Sequence, residues 1–197
     1  MTLLTILIPS IIERNENLKR LLRRLNEKDQ DVQICCYIDN KKQSIGEKRN
    51  ILLSMIQSEY FTFLDDDDDI EDDYFAYVLE TIKNVNGVDV ITFKQGCFKE
   101  GQDTPCFVVD ADMTNGCNEP IPLEGPWKKE YKRLCWHWCV FRTEVFGKIK
   151  FENSSYYEDI VWLRQVYPLI KTQYKINNVL HRYKFLGSDS QTTKTFF

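Results

Sequence analysis

Residues 59–74 read EYFTFLDDDDDIEDDY. The apolar run Tyr60–Leu64 is typical of a strand that is buried on both faces. It is followed at once by eight carboxylates in nine positions, Asp65–Asp73, which we call the acidic block. Neighbouring carboxylates repel one another, so the block costs free energy unless water, a cation or a positive partner offsets it. The stretch therefore predicts a buried strand with concentrated negative charge at its carboxyl end.

Two strand–helix units precede this strand. Leu3–Ile8 is an apolar run closed by Pro9 and Ser10, and Val32–Ile38 is a second run that ends on Asp39 and Asn40. The leucines of residues 18–25 recur at the spacing of an amphipathic helix. Ser44 and Glu47 form a capping box, which predicts a second helix of about 12 residues. This order predicts parallel strands whose carboxyl ends share one edge of a sheet, where ligands bind.

The second half of the chain is less regular. Residues 96–126 are rich in Gly and Pro and predict hairpins and loops. Around them the patterns predict a helix at Tyr74–Val85, a strand at Val88–Phe93, a strand near Trp138–Phe141, a helix from about Tyr157 to Tyr167 and an extended segment around Lys175–Tyr183.

The composition predicts a single globular domain. A chain of 197 residues can bury one sizeable core, and 43% hydrophobic residues exclude a disordered protein. The formal net charge is −4 and the acidic block alone carries −8, so the remainder is net +4. We expect no secretory signal and no membrane span. Seven Cys without a CxxC pair favour reduced thiols, so we expect a soluble, cytoplasmic protein.

Two hypotheses for the acidic block stay open at this point. A calcium loop of the EF-hand kind that starts at Asp65 requires Gly and Glu where the sequence has Ile70 and Ala76, which excludes it. A solvated acidic loop is one remaining hypothesis. The other is a divalent cation held by one or two carboxylates together with substrate phosphates. The strand directly before the block favours the cation.

Five segments resemble one known family: TILIPS (5–10), YIDN (37–40), SIGEKRN (44–50), EYFTFLDDDDDI (59–70) and YYEDIVWLRQVYP (156–168). In this order and spacing they resemble the GT-A nucleotide-sugar transferases of glycosyltransferase family 2, including small stand-alone phage and viral members. The resemblance implies a single α/β GT-A domain with a mixed sheet. A Rossmann-like βαβαβ half, about residues 1–95, would bind the nucleotide sugar, and about residues 96–197 would bind the acceptor.

The resemblance also implies roles at the donor site. Pro9 and Ser10 would lie beneath the nucleotide, Asp39 would bind the base, and Gly46, Lys48 and Arg49 would lie beside the nucleotide and its diphosphate. Asp65 and Asp67 match the DXD motif, with Asp65 beside the ribose and a second candidate metal residue, Asp67 as a direct ligand of Mn²⁺ or Mg²⁺, and Asp66 sharing either task. The other carboxylates, Asp68, Asp69, Glu71, Asp72 and Asp73, would serve only solvation and the cap of the next helix.

The candidates on the acceptor side are Glu158 and Asp159. In the family, the Asp of this pair is the general base that deprotonates the acceptor. Ser155 and Glu158 also form a possible capping box, which would place Asp159 in a first helical turn where the macrodipole favours its ionised form. The alternative is that both carboxylates only cap the helix.

Two histidines have competing interpretations. In CWHWC (135–139), Cys135, His137 and Cys139 could suggest zinc, but the fourth ligand of a structural zinc site is missing. Two interpretations remain: Trp136, His137 and Trp138 line an acceptor pocket, or they pack within a strand. His181 resembles the late histidine that completes the metal shell in many GT-A enzymes. It lies earlier than expected relative to Gly187 and Ser188, and the alternative is a strand histidine with satisfied nitrogens.

The function implied is metal-dependent, inverting transfer of a sugar from a UDP-sugar to a hydroxyl acceptor. The acceptor would be a saccharide, a lipid-linked sugar or a hydroxymethylated base of phage DNA, the last suggested by Lys128, Lys129, Lys132 and Arg133. A viral member would act in the host cytoplasm. A non-catalytic nucleotide- or cation-binding module of the same fold is the alternative outside enzymes.

Overall fold

The computed structural model describes residues 2–25, 31–99, 101, 104–115, 121–122 and 129–185. Its first half alternates strands and helices in the predicted order. The elements are β1 (Leu4–Ile11), α1 (Asn15–Leu25), β2 (Val32–Asp39), α2 (Ile45–Leu53) and β3 (Tyr60–Phe63). A short 3₁₀ turn, Ile12–Arg14, joins β1 to α1.

Within the described residues, the second half adds short strands, two long strands and three helices. Its elements are β4 (Asp69–Ile70), α3 (Tyr74–Asn84), β5 (Val90–Lys99), β6 (Phe107–Ala111), β7 (Ile121–Pro122), β8 (Lys129–Arg133), β9 (Val140–Arg142), α4 (Thr143–Phe146), α5 (Glu158–Val166) and β10 (Gln173–Phe185).

One mixed sheet of ten strands runs through the described residues, in the order β2-β1-β3-β9-β5-β6-β8-β7. β10 lies off this path, parallel to β5 and antiparallel to β4. β1 pairs in parallel with β2 and β3, which confirms the predicted arrangement. β9 pairs antiparallel with both β3 and β5 and so joins the two halves of the chain. The α/β mixed-sheet prediction is confirmed.

β1 is longer than predicted. Its pairing with β2 continues through Pro9 and Ser10 to Ile11, which lies opposite Asp39. β3, in contrast, ends at Phe63, opposite Leu7. The last residues of β1 therefore project beyond β3, and Ser10 faces the segment where the acidic block begins. Pro9 and Ser10, which the sequence predicted to close the strand, both lie within it.

The helices pack on this sheet as their patterns predict. Leu18, Leu21 and Leu25 of α1 are buried. The capping box of α2 is present, since the Ser44 amide donates to Glu47 (2.9 Å) and the Glu47 amide donates to Ser44 Oγ (3.2 Å). α2 is shorter than predicted, because the chain leaves the helix at Ser54. Within the described residues, no helix is both long and apolar enough to cross a membrane.

An aromatic cluster fixes α5 against the end of β3. Phe151 stacks on Trp162 of α5 with ring centroids 4.9 Å apart, and Phe63 of β3 packs edge-on against both rings. Aromatic pairs of this kind contribute about 0.5–1.5 kcal/mol beyond the burial of their surface. The cluster places the first residues of α5 beside the carboxyl end of β3.

Candidate active site

α1 supplies positive partners to the acidic block. Arg20 donates to the carbonyls of Asp67 (3.1 Å) and Asp68 (3.3 Å), and Arg24 donates to the carbonyl of Ile70 (2.9 Å). Arg24 also pairs with the carboxylates of Asp69 and Asp72. Part of the repulsion within the block is therefore offset inside the chain, by the polar face of the helix that buries its leucines in the core.

The first three carboxylates of the block have different surroundings. Asp66 is buried and accepts hydrogen bonds from Ser10 Oγ (2.6 Å) and Arg14 (3.0 Å). Asp65 pairs with Arg49 (3.1 Å). Asp67 is 31% exposed and lies 3.3 Å from Arg14. Burial, together with the charges of Asp68 and Asp65, raises the pKa of Asp67 to about 7. Asp67 is therefore a carboxylate with excess negative charge around it.

Asp68 is not a solvated residue, so that part of the prediction is wrong. It is 4% exposed, and its Oδ2 accepts from the amide of Asp65 (3.2 Å) and lies 3.1 Å from His181 Nε2. The predicted cap is also wrong, since α3 has no side-chain hydrogen bond from Asp73 at its N-terminus. Asp68 folds back under the block, where the Asp65 amide and His181 lie within hydrogen-bond distance of its carboxylate.

His181 is a buried strand histidine with partners at both nitrogens. It lies on β10, with Gln95 Nε2 2.9 Å from Nδ1 and its ring stacked on Trp138. Because the Gln95 amide nitrogen can only donate, Nδ1 accepts and Nε2 donates to Asp68. This arrangement matches the alternative in which His181 is a strand histidine with both nitrogens satisfied. The role of His181 as a metal ligand stays a prediction, and it would require Nε2 to give up Asp68.

Arg49 connects the donor and acceptor candidates. Its side chain is 3% exposed, and its guanidinium donates to Asp65 (3.1 Å) and to Glu158 (2.8 Å). It also packs over the rings of Phe63 and Phe151. Burial acts to raise the pKa of Asp65, but the positive charges of Arg49 and His137 outweigh it and hold this pKa well below its usual range. Asp65 is ionised, and Arg49 fixes its position.

His137 lies between two carboxylates. It is 6% exposed, with Nε2 3.7 Å from Asp65 Oδ2 and Nδ1 3.6 Å from Asp159 Oδ2. Burial acts to raise the pKa of Asp159, but the nearby His137 imidazole with its positive charge, together with the charge of Arg49, lowers it below its usual value. Asp159 is therefore ionised at neutral pH. Asp65 and Asp159 lie on opposite sides of one imidazole ring, although 94 positions separate them along the chain.

The predicted capping box at the start of α5 is wrong. The N-cap residue is Tyr157, in a left-handed conformation (φ 61°), and its side chain makes no capping hydrogen bond; the first-turn amide of Ile160 donates instead to Asp159 Oδ1 (2.8 Å). Glu158 binds Arg49 instead of a helix amide. Asp159 does lie in the first helical turn, as predicted. The charge of Arg49 attracts Glu158 into the interior, which the local sequence does not reveal.

Lys48 lies beneath Asp39. Its buried ammonium is 2.5 Å from Asp39 Oδ1 and 3.1 Å from the Ser10 carbonyl. Asp39 also accepts from the amide of Gln43 (2.9 Å). Burial acts to raise the pKa of Asp39, but Lys48 and Gln43 lower it below its usual value. In this arrangement Lys48 orients the carboxylate that ends β2, and the predicted contact of Lys48 with a diphosphate stays a prediction.

Close packing explains why residue 46 is a glycine. Its amide donates to the Ser154 carbonyl (2.9 Å), and a Cβ at this position would lie 1.7 Å from the Glu152 carbonyl oxygen. Only glycine permits this approach of α2 to the chain segment that leads into α5. The predicted role of Gly46 beside the nucleotide is untested.

The residues of CWHWC differ in exposure. Trp138 is 2% exposed and packs on Phe93 and His181, which favours buried packing, although it lies in a turn before β9 and not within a strand. Trp136 is partly buried beneath the guanidinium of Arg133, 3.5 Å from its ring centroid. The predicted contact of these tryptophans with an acceptor stays a prediction.

Burial raises the pKa of the Cys139 thiol to about 12, which disfavours the thiolate that zinc requires. Lys128 and the side chain of Lys129 lie outside the described residues.

The carboxylates at the end of β3 fit a divalent cation that is completed by a substrate. In the described part of the chain, no group of three or more His, Cys, Asp or Glu side chains could hold a metal by itself. Mg²⁺ and similar cations are commonly held by one or two carboxylates plus substrate phosphates. Asp67, partly exposed and surrounded by negative charge, has the chemistry of such a ligand, with Asp65 as its neighbour.

A scan of protein families gives the decisive observation: residues 13–148 match the family described as Glycosyl transferase family 2. The chain belongs to this family. The match includes α1, β2, α2, β3, the acidic block and His137, so it spans most of the residues assembled above. A search of curated proteins found no match.

Solved structures share the fold. The chain resembles S. aureus TarS 1–349 in complex with UDP-GlcNAc, with a TM-score of 0.68 and 14% identity over 100% of this chain and 62% of that one. It also resembles the mannosyltransferase PcManGT from Pyrobaculum calidifontis, in complex with GDP-Man and Mn²⁺, with a TM-score of 0.57 and 10% identity over 91% and 56%. The chain spans 37% of a longer TarS chain. The predicted GT-A fold is confirmed.

Sequence reasoning missed two residues at this site. Arg14 contacts Asp66 and Asp67, and Asp68 supports Asp65 from beneath. A signal for Arg14 was present, since it follows the first strand by three residues and so lies at the edge where the strands end. No local signal distinguishes Asp68 from its neighbours in a run of five Asp.

Proposed function

We propose that the protein transfers a sugar from a UDP-sugar to a hydroxyl acceptor, with inversion at the anomeric carbon and with Mn²⁺ or Mg²⁺. One observation carries the proposal: Asp159 and Asp65 flank the same buried histidine, His137. A candidate base thus lies next to a carboxylate of the candidate donor site. Membership of glycosyl transferase family 2 supports the reaction class.

The donor would lie across the carboxyl ends of β1, β2 and β3. Asp39, held by Lys48, would accept a hydrogen bond from the uracil, and Pro9 and Ser10 would lie beneath the nucleotide. Asp65 would contact the ribose. Asp66 is already bonded to Ser10 and Arg14, which leaves Asp67 as the carboxylate best placed to hold the cation. A bound divalent cation supplies several kcal/mol by stabilising charge on a leaving diphosphate.

Asp159 would accept the proton of the acceptor hydroxyl. The acceptor oxygen forms a bond to the anomeric carbon while the bond from that carbon to the phosphate oxygen breaks, and the electron pair leaves on the nucleoside diphosphate. Attack opposite the leaving group inverts the centre. His137 keeps Asp159 ionised, and Arg49 with Glu158 holds the start of α5 in place. A positioned base typically contributes about 10²–10⁴ in rate.

The acceptor stays open among a saccharide, a lipid-linked sugar and a hydroxymethylated DNA base. An assay of UDP release with a panel of UDP-sugars, with and without hydroxymethylated duplex DNA and at several salt concentrations, compares these classes. A DNA acceptor predicts a steep decrease of activity with salt, because contacts to phosphates release counterions.

The test of the mechanism is Asp159→Asn, with the exposed Glu144→Gln as a matched control. We expect transfer to decrease by about 10²–10⁴. Binding of UDP, measured by calorimetry with and without Mn²⁺, should be unchanged in both variants. Substantial transfer by Asp159→Asn would refute the base, and UDP binding that ignores Mn²⁺ would refute the cation site. Binding without turnover on any donor would favour the non-catalytic module.

A further inference from the structure

We infer that Arg14 is a further donor-site residue. Its guanidinium occupies Asp67 while the donor is absent, yields this carboxylate to the divalent cation when a nucleoside diphosphate binds, and then contacts the diphosphate. The inference rests on the proposed function, because it takes Asp67 as the cation-binding carboxylate.

Arg14 contacts one buried carboxylate and one partly exposed carboxylate. It ends the 3₁₀ turn that follows β1, and its Nη1 lies 3.0 Å from Asp66 Oδ1 and 3.3 Å from Asp67 Oδ2. The side chain of Asp66 is 2% exposed, whereas those of Asp67 and Arg14 are 31% and 46% exposed. One end of the contact is therefore inside the protein, and the other faces the donor site.

The two contacts differ in how easily they exchange. Asp66 is also fixed by Ser10 Oγ at 2.6 Å, so its pairing with Arg14 is part of a buried network. The contact with Asp67 is longer and more exposed, and exposed ion pairs contribute little to stability. Arg14 can leave Asp67 at small cost while Asp66 keeps its bond to Ser10.

A cation and the guanidinium compete for Asp67. Mg²⁺ binds carboxylate oxygen at about 2.0–2.1 Å, so an ion on the oxygen that lies 3.3 Å from Nη1 would be at most about 5.4 Å from that nitrogen. Their repulsion weakens cation binding to the donor-free protein. A diphosphate removes the conflict, because it ligates the cation and also offers oxygens to a planar guanidinium, which suits phosphate well.

Arg20 and Arg24, the two arginines of α1 that contact the block, do not share this geometry. Arg20 and Arg24 donate to main-chain carbonyls of the block, and the carboxylate partners of Arg24 are Asp69 and Asp72. These contacts hold the loop in shape. Arg14 instead contacts the carboxylate that the proposed function assigns to the cation.

The experiment compares Arg14→Gln with Arg23→Gln, which removes the same charge from an exposed position of α1. Calorimetry measures binding of Mn²⁺ alone, of UDP with saturating Mn²⁺, and of uridine. We expect Arg14→Gln to bind Mn²⁺ alone about fivefold more tightly, from the loss of a competing exposed pair. It should bind UDP with Mn²⁺ several-fold more weakly and uridine as the wild type does. Arg23→Gln should match the wild type throughout.

The possible outcomes distinguish failure of the inference on Arg14 from failure of the proposed function. If wild-type UDP binding ignores Mn²⁺, the proposed cation site fails. If wild-type UDP binding requires Mn²⁺ but Arg14→Gln binds Mn²⁺ and UDP as the wild type does, only the inference on Arg14 is overturned. Should Arg14→Gln unfold, Arg14→Lys takes its place. It keeps the charge but loses the planar fork, and we expect weaker UDP binding with uridine binding unchanged.

Discussion

Arg49 on α2 and Glu158 at the start of α5 form a buried ion pair of 2.8 Å, although 109 positions separate them along the chain. The same guanidinium reaches Asp65 at the end of β3. One buried cation therefore joins the candidate donor site to the helix that carries the candidate base. Its removal would leave two carboxylates without their partner.

Arg49→Met should destabilise the protein by about 3–5 kcal/mol, because breaking a buried pair leaves an uncompensated buried charge. Guanidinium chloride unfolding measures the change. Glu144→Gln, which removes half of the exposed pair with Arg142, is the control and should change stability by less than about 0.5 kcal/mol. Equal effects of the two variants would contradict the importance of the Arg49 pair.

Gly46→Ala should destabilise the protein, the opposite of the usual effect in a helix. Alanine within a helix normally gains about 0.5–1 kcal/mol over glycine. Here the new Cβ would lie 1.7 Å from the Glu152 carbonyl oxygen, so α2 and the segment before α5 must separate. We expect a loss of about 1–3 kcal/mol, as for other overpacked sites. Thermal unfolding monitors the sign, and a stabilised variant would contradict this contact.

Lys48→Met should weaken binding of uridine and UDP by the same factor. Lys48 holds Asp39, the candidate ligand of the base, and loss of a hydrogen bond to a charged group costs about 1.5–3 kcal/mol, roughly tenfold or more in affinity. Calorimetry with the two ligands measures the factor, with the exposed Lys42→Met as the control. Weaker binding of UDP alone would instead indicate that Lys48 contacts the diphosphate.

Asp112→Asn should remove part of the acid sensitivity of folding. Burial acts to raise the pKa of Asp112, but bonds from Gln173, Thr114 and Lys175 hold it well below its usual range. A carboxyl whose pKa is lowered in the folded state stabilises the protein above its unfolded pKa, and this contribution is lost as pH falls through the folded pKa.

The measurement for Asp112 is the free energy of unfolding as a function of pH. The wild type should exceed Asp112→Asn most at neutral pH, and the difference should shrink as the solution becomes more acidic than the usual aspartate pKa. Asp73→Asn, at an exposed position, serves as the control. A difference that stays constant with pH would contradict the lowered pKa of Asp112.

The first half of the fold was predictable because its signals are local. Apolar runs gave β1, β2 and β3, leucine spacing gave α1, and the Ser44–Glu47 capping box gave the start of α2. Parallel order follows from short connections, so the edge that gathers Asp39 and Asp65 was also predictable. Each of these signals lies within a few residues of the element that it forms.

The remainder depends on contacts distant in sequence. Glu158 resembles a helix cap until Arg49 is placed beside it, and Asp68 resembles a solvated residue until His181 on β10 approaches. The end of β1 was misplaced because its pairing with β2 outlasts its pairing with β3. No local pattern encodes these outcomes, since the deciding partner lies 109 or 113 positions away.

The arginines of α1 hold the acidic loop by its main chain, through the carbonyls of Asp67, Asp68 and Ile70. A main-chain carbonyl is the same whatever side chain the residue bears. The shape of this loop is thus partly independent of the carboxylate at position 67, so exchange of residue 67 should leave the path of the loop around it unchanged.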